Sequence, residues 1–383
     1  VTQSLTEVIP QILAQGLVAL RENSIMPRLV NLGYSPTPDV KGSTVDVTIP
    51  SAIAAQEVVP AATVQSAVDL SPTSVSIALD QWYEAPFVLS DKEQTQAMDG
   101  LVSMQVTEAA KSLANNVDSY IFGKYLGVYG FGGTGGTTPF SSDLSAAINA
   151  RRELARNLAP ISPRFVVINE DAEANALNLR NFQDASYRGD QTGNVLGQIG
   201  RTIGADWHMD QNVPSHTAGT IANGTAAKVA LVNVALAAAV TTMNIDHTTL
   251  TGTVAIGDVF SFAGHSGTYV ATNLTTANAN AITGLTFSPA LREIVANNVV
   301  VTFQATHAVN MFFHRDAFAL ATRPLEDTAA EGLGSLVMAR TDDISGLTLR
   351  LEVNRQHKQT RWSFDILYGA QLVRAELAAR ILG

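Results

Sequence analysis

The stretch from Asp91 to Leu126 constrains this chain most. Within it Met98, Leu101, Val102, Val106, Ala109, Ala110, Leu113, Ala114, Val117, Tyr120 and Ile121 recur every three or four residues, the apolar stripe of an amphipathic helix. Ser90 and Glu93 have the spacing of a capping box at its start. At about 1.5 Å per residue the helix would run roughly 50 Å. Gly100 is its weak point, costing about 1 kcal/mol relative to Ala. Such a helix suits an elongated molecule with parts hung along a spine. It also suits a buried helix of a large α/β enzyme, and the stretch alone leaves both open.

Composition narrows the choice. The 383 residues are 46% hydrophobic and 15% charged, which supports large cores or wide surfaces buried against partners. A net charge of −10 argues against a sequence-independent DNA binder, which carries basic patches. With no cysteine, disulfides, zinc thiolates and a catalytic Cys are excluded. No apolar run reaches the roughly 18 residues of a membrane span, and the first residues lack the pattern of a signal peptide.

Along the chain, Pro10 to Asn23 predicts a short helix with Pro10 at its first position. Pro27, Pro36 and Pro38 predict an extended arm after it. Val45, Val47 and Ile49 alternate, as do Val75, Ile77 and Leu79, predicting two strands joined by a long connection. This reads as a protruding arm that cannot bury its own apolar face and therefore lies on another subunit. Gly42 to Ser90 holds five acidic residues and no Lys or Arg. The glycine-rich run Gly127 to Pro139 lacks the ending of a P-loop and follows a helix, so a flexible connector is expected there.

Helices are expected at Leu144 to Leu158 and Glu170 to Arg180, a strand at Phe165 to Ile168, and a long exposed loop at Asn181 to Pro214. From Thr217 to His307 charges nearly vanish and short alternating segments occur at 229–232, 251–254, 259–262, 268–271, 285–287 and 299–303. That pattern predicts an inserted all-β barrel or sandwich. Val309 to Phe313 reads as a strand, Asp316 to Ala321 as a short helix, and Asp327 to Gly334 as a flexible joint. Thr348 to Val353 and Arg361 to Leu367 form a hairpin around a turn at Asn354 to Gln359, and Ala370 to Leu382 is an apolar-faced closing segment.

The sequence supports no catalytic site. His314-Arg315-Asp316 copies three letters of a kinase catalytic loop without the rest of that set. Gly264-His265-Ser266-Gly267 misses the final Gly of a nucleophile elbow, where Thr268 stands, and reads as a β-turn. His208 and His216 flank a loop without metal-ligand spacing. No metal or cofactor is expected.

Several stretches resemble one family. These are AFALATRPLE (Ala317 to Glu326) with FFHRD before it, IGRTIGADWHMDQNVP (Ile199 to Pro214) and GDVFSFAG (Gly257 to Gly264). LRENSIMPRLVNLGYSPTPDVKGSTVDVTIP (Leu20 to Pro50) and WYEAPFVLSDKE (Trp82 to Glu93) complete the set. In this order they resemble the major capsid proteins of tailed phages, of the short-tailed Salmonella phage type. The resemblance spans nearly the whole chain and lies in order and spacing.

It implies an α+β Hong Kong 97-type capsid fold with an inserted β-barrel domain. The N-terminal arm would be residues 1–42, the extended β loop 43–89, and the spine helix of the peripheral domain 90–139. The axial domain would comprise 140–216 and 308–345, interrupted by the inserted barrel 217–307. The peripheral hairpin and C-terminal segment would be 346–383. The implied function is not enzymatic: copies assemble as pentamers and hexamers into an icosahedral shell in the host cytoplasm. Implied partners are a scaffolding protein, a portal protein, a decoration protein and enclosed double-stranded DNA bound without sequence specificity, with no membrane. An encapsulin-like compartment shell and an extracellular polysaccharide-active protein are the alternatives.

Some relatives crosslink through a Lys on the extended loop. This loop has no Lys, so a non-covalent shell is expected. Charge adds a further expectation: the acidic loop, with Glu57, Asp69 and Glu84, docks on a basic surface of a neighbour. Candidates for that surface are Arg350, Arg355, Lys358 and Arg361 on the last hairpin and Arg151, Arg152 and Arg156 on a helix.

Overall fold

The computed structural model describes residues 5–33, 44–50, 71–92, 101–184, 199–224, 226–323, 336–342 and 345–383, with isolated positions between them. Two helices, α1 (Leu5–Asn23) and α2 (Met26–Leu29), precede a strand pair, β1 (Thr44–Ile49) and β2 (Thr73–Ala78). The long helix α3 (Leu101–Gly123) buries Val106, Ala110, Ala114, Val117 and Ile121 completely, so the apolar stripe holds. Its 23 residues make about 35 Å of helix, continued by a 3₁₀ turn over Lys124–Gly127. Glu93 and Gly100 lie outside the described residues, and Ser90 closes a strand.

That strand, β3 (Gln81–Ser90), belongs to a five-stranded sheet. Its spine is the 14-residue β22 (Gln359–Leu372), flanked by β21 (Thr348–Gln356) and then β20 (Leu336–Thr341). β22 also pairs with β3 along ten residues and with β19 (Phe318–Thr322) at its far end. One face of this sheet, with Leu349, Leu351, Phe364 and Ile366, is buried in a core shared with α1 and α3. Gly16 allows that approach: a Cβ there would already sit 3.2–3.6 Å from Leu349, Phe364 and Val106.

The second sheet is mixed, in the order β4 (Gly130–Gly132), β23 (Ala378–Ile381), β18 (Asn310–His314), β5 (Arg164–Ile168), β7 (Ala205–Met209) and β6 (Arg201–Thr202). Every residue of β18 and β23 is buried, as expected of strands covered on both faces. Helix α4 (Ser145–Arg156) packs on β4 and β23, and α5 (Glu170–Asn178) and α6 (Arg180–Gln183) follow β5. The pair β8 (Ser215–His216) and β17 (His307–Ala308) leads into and out of the inserted domain.

That domain is a closed six-stranded barrel: β10 (Thr242–Asp246), β15 (Ala281–Ser288), β13 (Thr268–Ala271), β12 (Val259–Phe262), β16 (Val300–Phe303) and β9 (Val229–Val232). The short pair β11 (Thr253–Val254) and β14 (Thr275–Thr276) lies beside it. Phe260, Phe262, Tyr269, Phe287 and Phe303 stack edge-on and tilted inside, with ring centroids 5.1–5.8 Å apart.

Several expectations are corrected. Pro10 lies inside α1, not at its start; burial of Leu13, Leu17 and Leu20 outweighs the lost hydrogen bond, since packing dominates helix stability. Pro27 opens the short helix α2 rather than an extended arm, its missing N–H falling where no partner is needed. Residues 318–322 are a strand, not a helix; FALAT is a short apolar run, for which periodicity does not choose. The glycine run is no flexible connector, because Gly130–Gly132 is strand β4 and a Cβ at Gly132 would overlap the backbone of Ala146 and Ala150 in α4. Part of the presumed loop 181–214 is β6 and β7, with Trp207 buried. The last hairpin turns on His357 and Lys358 alone, Lys358 at φ 53. The expected joint at 327–334 lies outside the described residues.

Candidate assembly surfaces and the barrel junction

The arm comes first. β1 and β2 pair antiparallel from Thr44↔Ala78 to Ile49↔Thr73. Alternation places Val45, Val47 and Ile49 on one face with Val75 and Ile77. Val47 and Ile77 are fully buried at the root, against Leu79, Ala319 and Ala321 of the same chain. The expectation that this face is covered only by another subunit is therefore corrected for the root. Further out, Ile49 and Val75 are half-buried and Ile53 is 68% exposed.

The second surface is the open face of the five-stranded sheet, where most of the charged residues picked from sequence meet. Arg361 donates to Glu84 (2.9 Å), and Ser363 donates to the other oxygen of that carboxylate (2.8 Å). Arg350 grips Asp365 with two nitrogens, at 2.8 and 2.6 Å, and Trp82 Nε1 donates to Asp365 as well (2.8 Å). At the hairpin tip Arg355 donates to Asp91 (2.8 Å), whose backbone N–H donates to the Lys358 carbonyl (3.1 Å). Glu84 thus meets Arg361 inside one chain. Glu57 is exposed, and Asp69 lies outside the described residues. On α4, Arg156 pairs with buried Glu153 (2.8 Å) and donates to the Ser266 carbonyl of the barrel (2.6 Å). Arg152 reaches Glu153 at 3.6 Å, and Arg151 lies over Gly204.

The third feature was not foreseen: a buried polar junction between barrel and body. Arg380 of β23 is fully buried and donates to the carbonyls of Gly257 (2.8 Å) and Tyr125 (2.9 Å). Its guanidinium lies 4.9 Å from the Tyr125 ring centre. Burial pushes Arg380 down to about 10. His216 Nε2 sits 2.9 Å from Asp258, and its Nδ1 3.0 Å from the Tyr125 hydroxyl. Asp258 accepts also from the backbone N–H groups of Gly219 (3.1 Å) and Ala255 (2.8 Å), so its charge is well met. His307, with its ring 5.3 Å from that of His216, is pushed down to about 4 by burial, with the Arg380 charge adding. Gly257, at φ +91, has no room for a side chain beside Leu126 and His216. Around the polar centre Tyr129 and Leu382 of the body pack with Val259 and Val270 of the barrel.

Inside the body, Asp118 of α3 accepts from the backbone N–H groups of Ile25 (3.0 Å) and Met26 (3.2 Å), tying α2 to the long helix. Burial, with the nearby Asp210 charge, pushes Asp118 up to about 8. Two of these residues left a signal in the sequence: Asp118 falls within the apolar stripe, and Arg380 is a lone charge in an apolar run.

The motifs weighed for chemistry have structural places. His208 is in β7, His216 is in the junction, and Gly264 to Gly267 lies between β12 and β13. Among the described residues no group of three His, Cys, Asp or Glu is placed to hold a metal, and no helix is long and apolar enough to cross a membrane.

Residues 72–234, somewhat under half of the chain, match the model of a family described as phage capsid protein. A search of curated proteins gives no match. Among solved structures, one from Mycobacterium phage Che8 is similar over 93% of this chain and 90% of its own, at 15% identity and a TM-score of 0.51. The capsid of the cyanophage P-SCSP1u is similar over 94% of this chain and 88% of its own, at 11% identity and a TM-score of 0.53. The fold they share is α+β, of the Hong Kong 97 type, and this chain carries a closed six-stranded barrel inserted in it. The likeness to the phage capsid protein family model lies within residues 72–234, and over nearly the whole chain the solved structures share the fold.

Proposed function

We propose that this is the major capsid protein of a tailed double-stranded DNA phage, assembling as pentamers and hexamers into an icosahedral head without covalent crosslinks. The observation that carries the proposal is the arm: β1 and β2 have one apolar face, fully buried at its root by the chain's own body and half-buried further out among the described residues. Such a face gains its remaining burial from a neighbouring copy. Assembly takes place in the host cytoplasm around a separate scaffolding protein, with a portal protein at one vertex and a decoration protein outside. The net charge of −10 suits a container that does not grip the DNA it encloses.

In this reading residues 1–42 are an arm, 43–89 the extended loop, and 90–139 with 346–383 the peripheral domain. Residues 140–216 and 308–345 are the axial domain and 217–307 the insertion. Glu57 and Asp69 of one copy meet Arg355 and Lys358 at a neighbour's hairpin tip, while Glu84, Arg350 and Arg361 hold the sheet face to which the neighbour docks. The encapsulin-like alternative is less favoured, because the matching family model is one of phage capsid proteins.

Electron microscopy of the chain expressed alone and with its candidate scaffold gene tests the proposal. Closed uniform shells with the scaffold, and shells mixed with tubes or spirals without it, are expected. A monodisperse monomer or small oligomer in both conditions would overturn it.

A further inference from the structure

The root of the arm rests on unusually small residues. β2 lies against β22 and β19. In the pairing of β19 with β22, Ala321 stands opposite Gly369 and Ala319 opposite Gln371. Ala319, Ala321 and Gly369 therefore share one face of the sheet, directly beneath the arm. Val47, Ile77 and Leu79 sit on the two alanines. At Gly369 the approach is closer still: a Cβ there would overlap the Ala78 carbonyl oxygen and lie 3.2 Å from Leu79 Cα. Ala78 is the last residue of the arm, and Gln81 opens β3 of the body sheet. Backbone thus rests on backbone at the point where the arm leaves the body. A packed interior does not deform smoothly, so the size of these floor residues sets the height and tilt of the arm.

We infer that Gly369, with Ala319 and Ala321, fixes the angle at which the arm leaves the subunit and through it the curvature of the assembled shell. The angle is a property of the single chain. The link to curvature rests on the proposed function.

The absence of cysteine from the sequence opens a direct test. Thr48 on the arm and His357 at the hairpin tip are both exposed, so Thr48→Cys with His357→Cys gives one spin-label pair. Double electron–electron resonance on the unassembled subunit is expected to show one distance maximum. Gly369→Ala and Ala321→Val are each expected to displace it. Should either fail to fold, Ala319→Ser, which adds one heavy atom, is expected to give a smaller displacement in the same sense. An unchanged maximum in the variants that fold would overturn the inference.

The same variants, expressed with the candidate scaffold gene, are expected to give shells of altered diameter, or open sheets, where the unsubstituted chain gives closed shells. A displaced arm with shells of unchanged diameter would overturn the link to curvature. Failure of the unsubstituted chain to form shells would count against the proposed function and leave the resonance result to stand or fall alone.

Discussion

Among the described residues Arg380 is the largest fully buried side chain, and it joins the barrel to the body with hydrogen bonds to three backbone carbonyls. Hydrogen bonds to a charged group contribute about 1.5–3 kcal/mol each. Arg380→Leu should therefore lower stability by about 3 kcal/mol or more, seen as a lower urea midpoint. Protease sites at the barrel's connections to the body should open first. His307 gives the junction a pH dependence of known sign. Its folded value of about 4 lies below the ordinary 6.5, so the unfolded chain takes up the proton first as pH falls. Above about pH 6.5 neither state carries it and His307 contributes no change. Between about 6.5 and 4 stability is lost, by up to on the order of 3 kcal/mol. Asp118, pushed up to about 8, contributes the opposite sign over the same range, so the test is the difference between chains: from pH 7 to pH 4.5 the natural chain should change less favourably in urea melts than His307→Asn, and equal changes would contradict the assignment. Beyond the lone charge of Arg380 in an apolar run, the junction was not legible in the sequence, because Arg380, His216, Asp258 and Tyr125 come from four distant stretches and only the fold brings them together.

Among elements, the ones read correctly are those with a strong period and a polar side. The stripe of α3, the alternation of β1 and β2 and most barrel strands have both. β19 and β7 were misread because FALAT and ADWHM are covered on both faces or interrupted by polar groups, which erases alternation. β10 was missed because TMNID alternates with only two apolar residues. Arg350, Arg355, Lys358 and Arg361 lie on the last hairpin as expected, and within the chain Arg361 meets Glu84 and Arg350 meets Asp365 across neighbouring strands of one sheet, a register invisible in the sequence. That fold-back makes a sharper experiment of Arg355→Glu with Arg361→Glu. Both side chains are exposed and paired within the chain, so the subunit should lose no more than about 1–2 kcal/mol. Assembly should nonetheless be blocked, as followed by sedimentation with the scaffold; normal particles would contradict the docking proposal. The lysine-free extended loop carries its own prediction. Mature particles boiled in SDS should run as a single monomer band, and a ladder of covalent oligomers would refute the non-covalent shell.

Among the described residues, one core is shared by two sheets and the helices, a second lies inside the barrel, a small third under the arm, and a fourth at the barrel junction. The barrel's separate core explains why its composition shift near Thr217 was visible in the sequence, while the way it docks was not. The arm's apolar face is buried at its root and only half-buried at Ile49 and Val75, and the proposed function turns on that face. A cryo-electron microscopy reconstruction of the assembled particle tests it most directly. The account predicts closed shells in which the apolar face of β1 and β2, outward from Ile49 and Val75, is buried on the sheet of a neighbouring copy. Closed shells with that face open to solvent or folded onto its own subunit, or no shells at all, would contradict it.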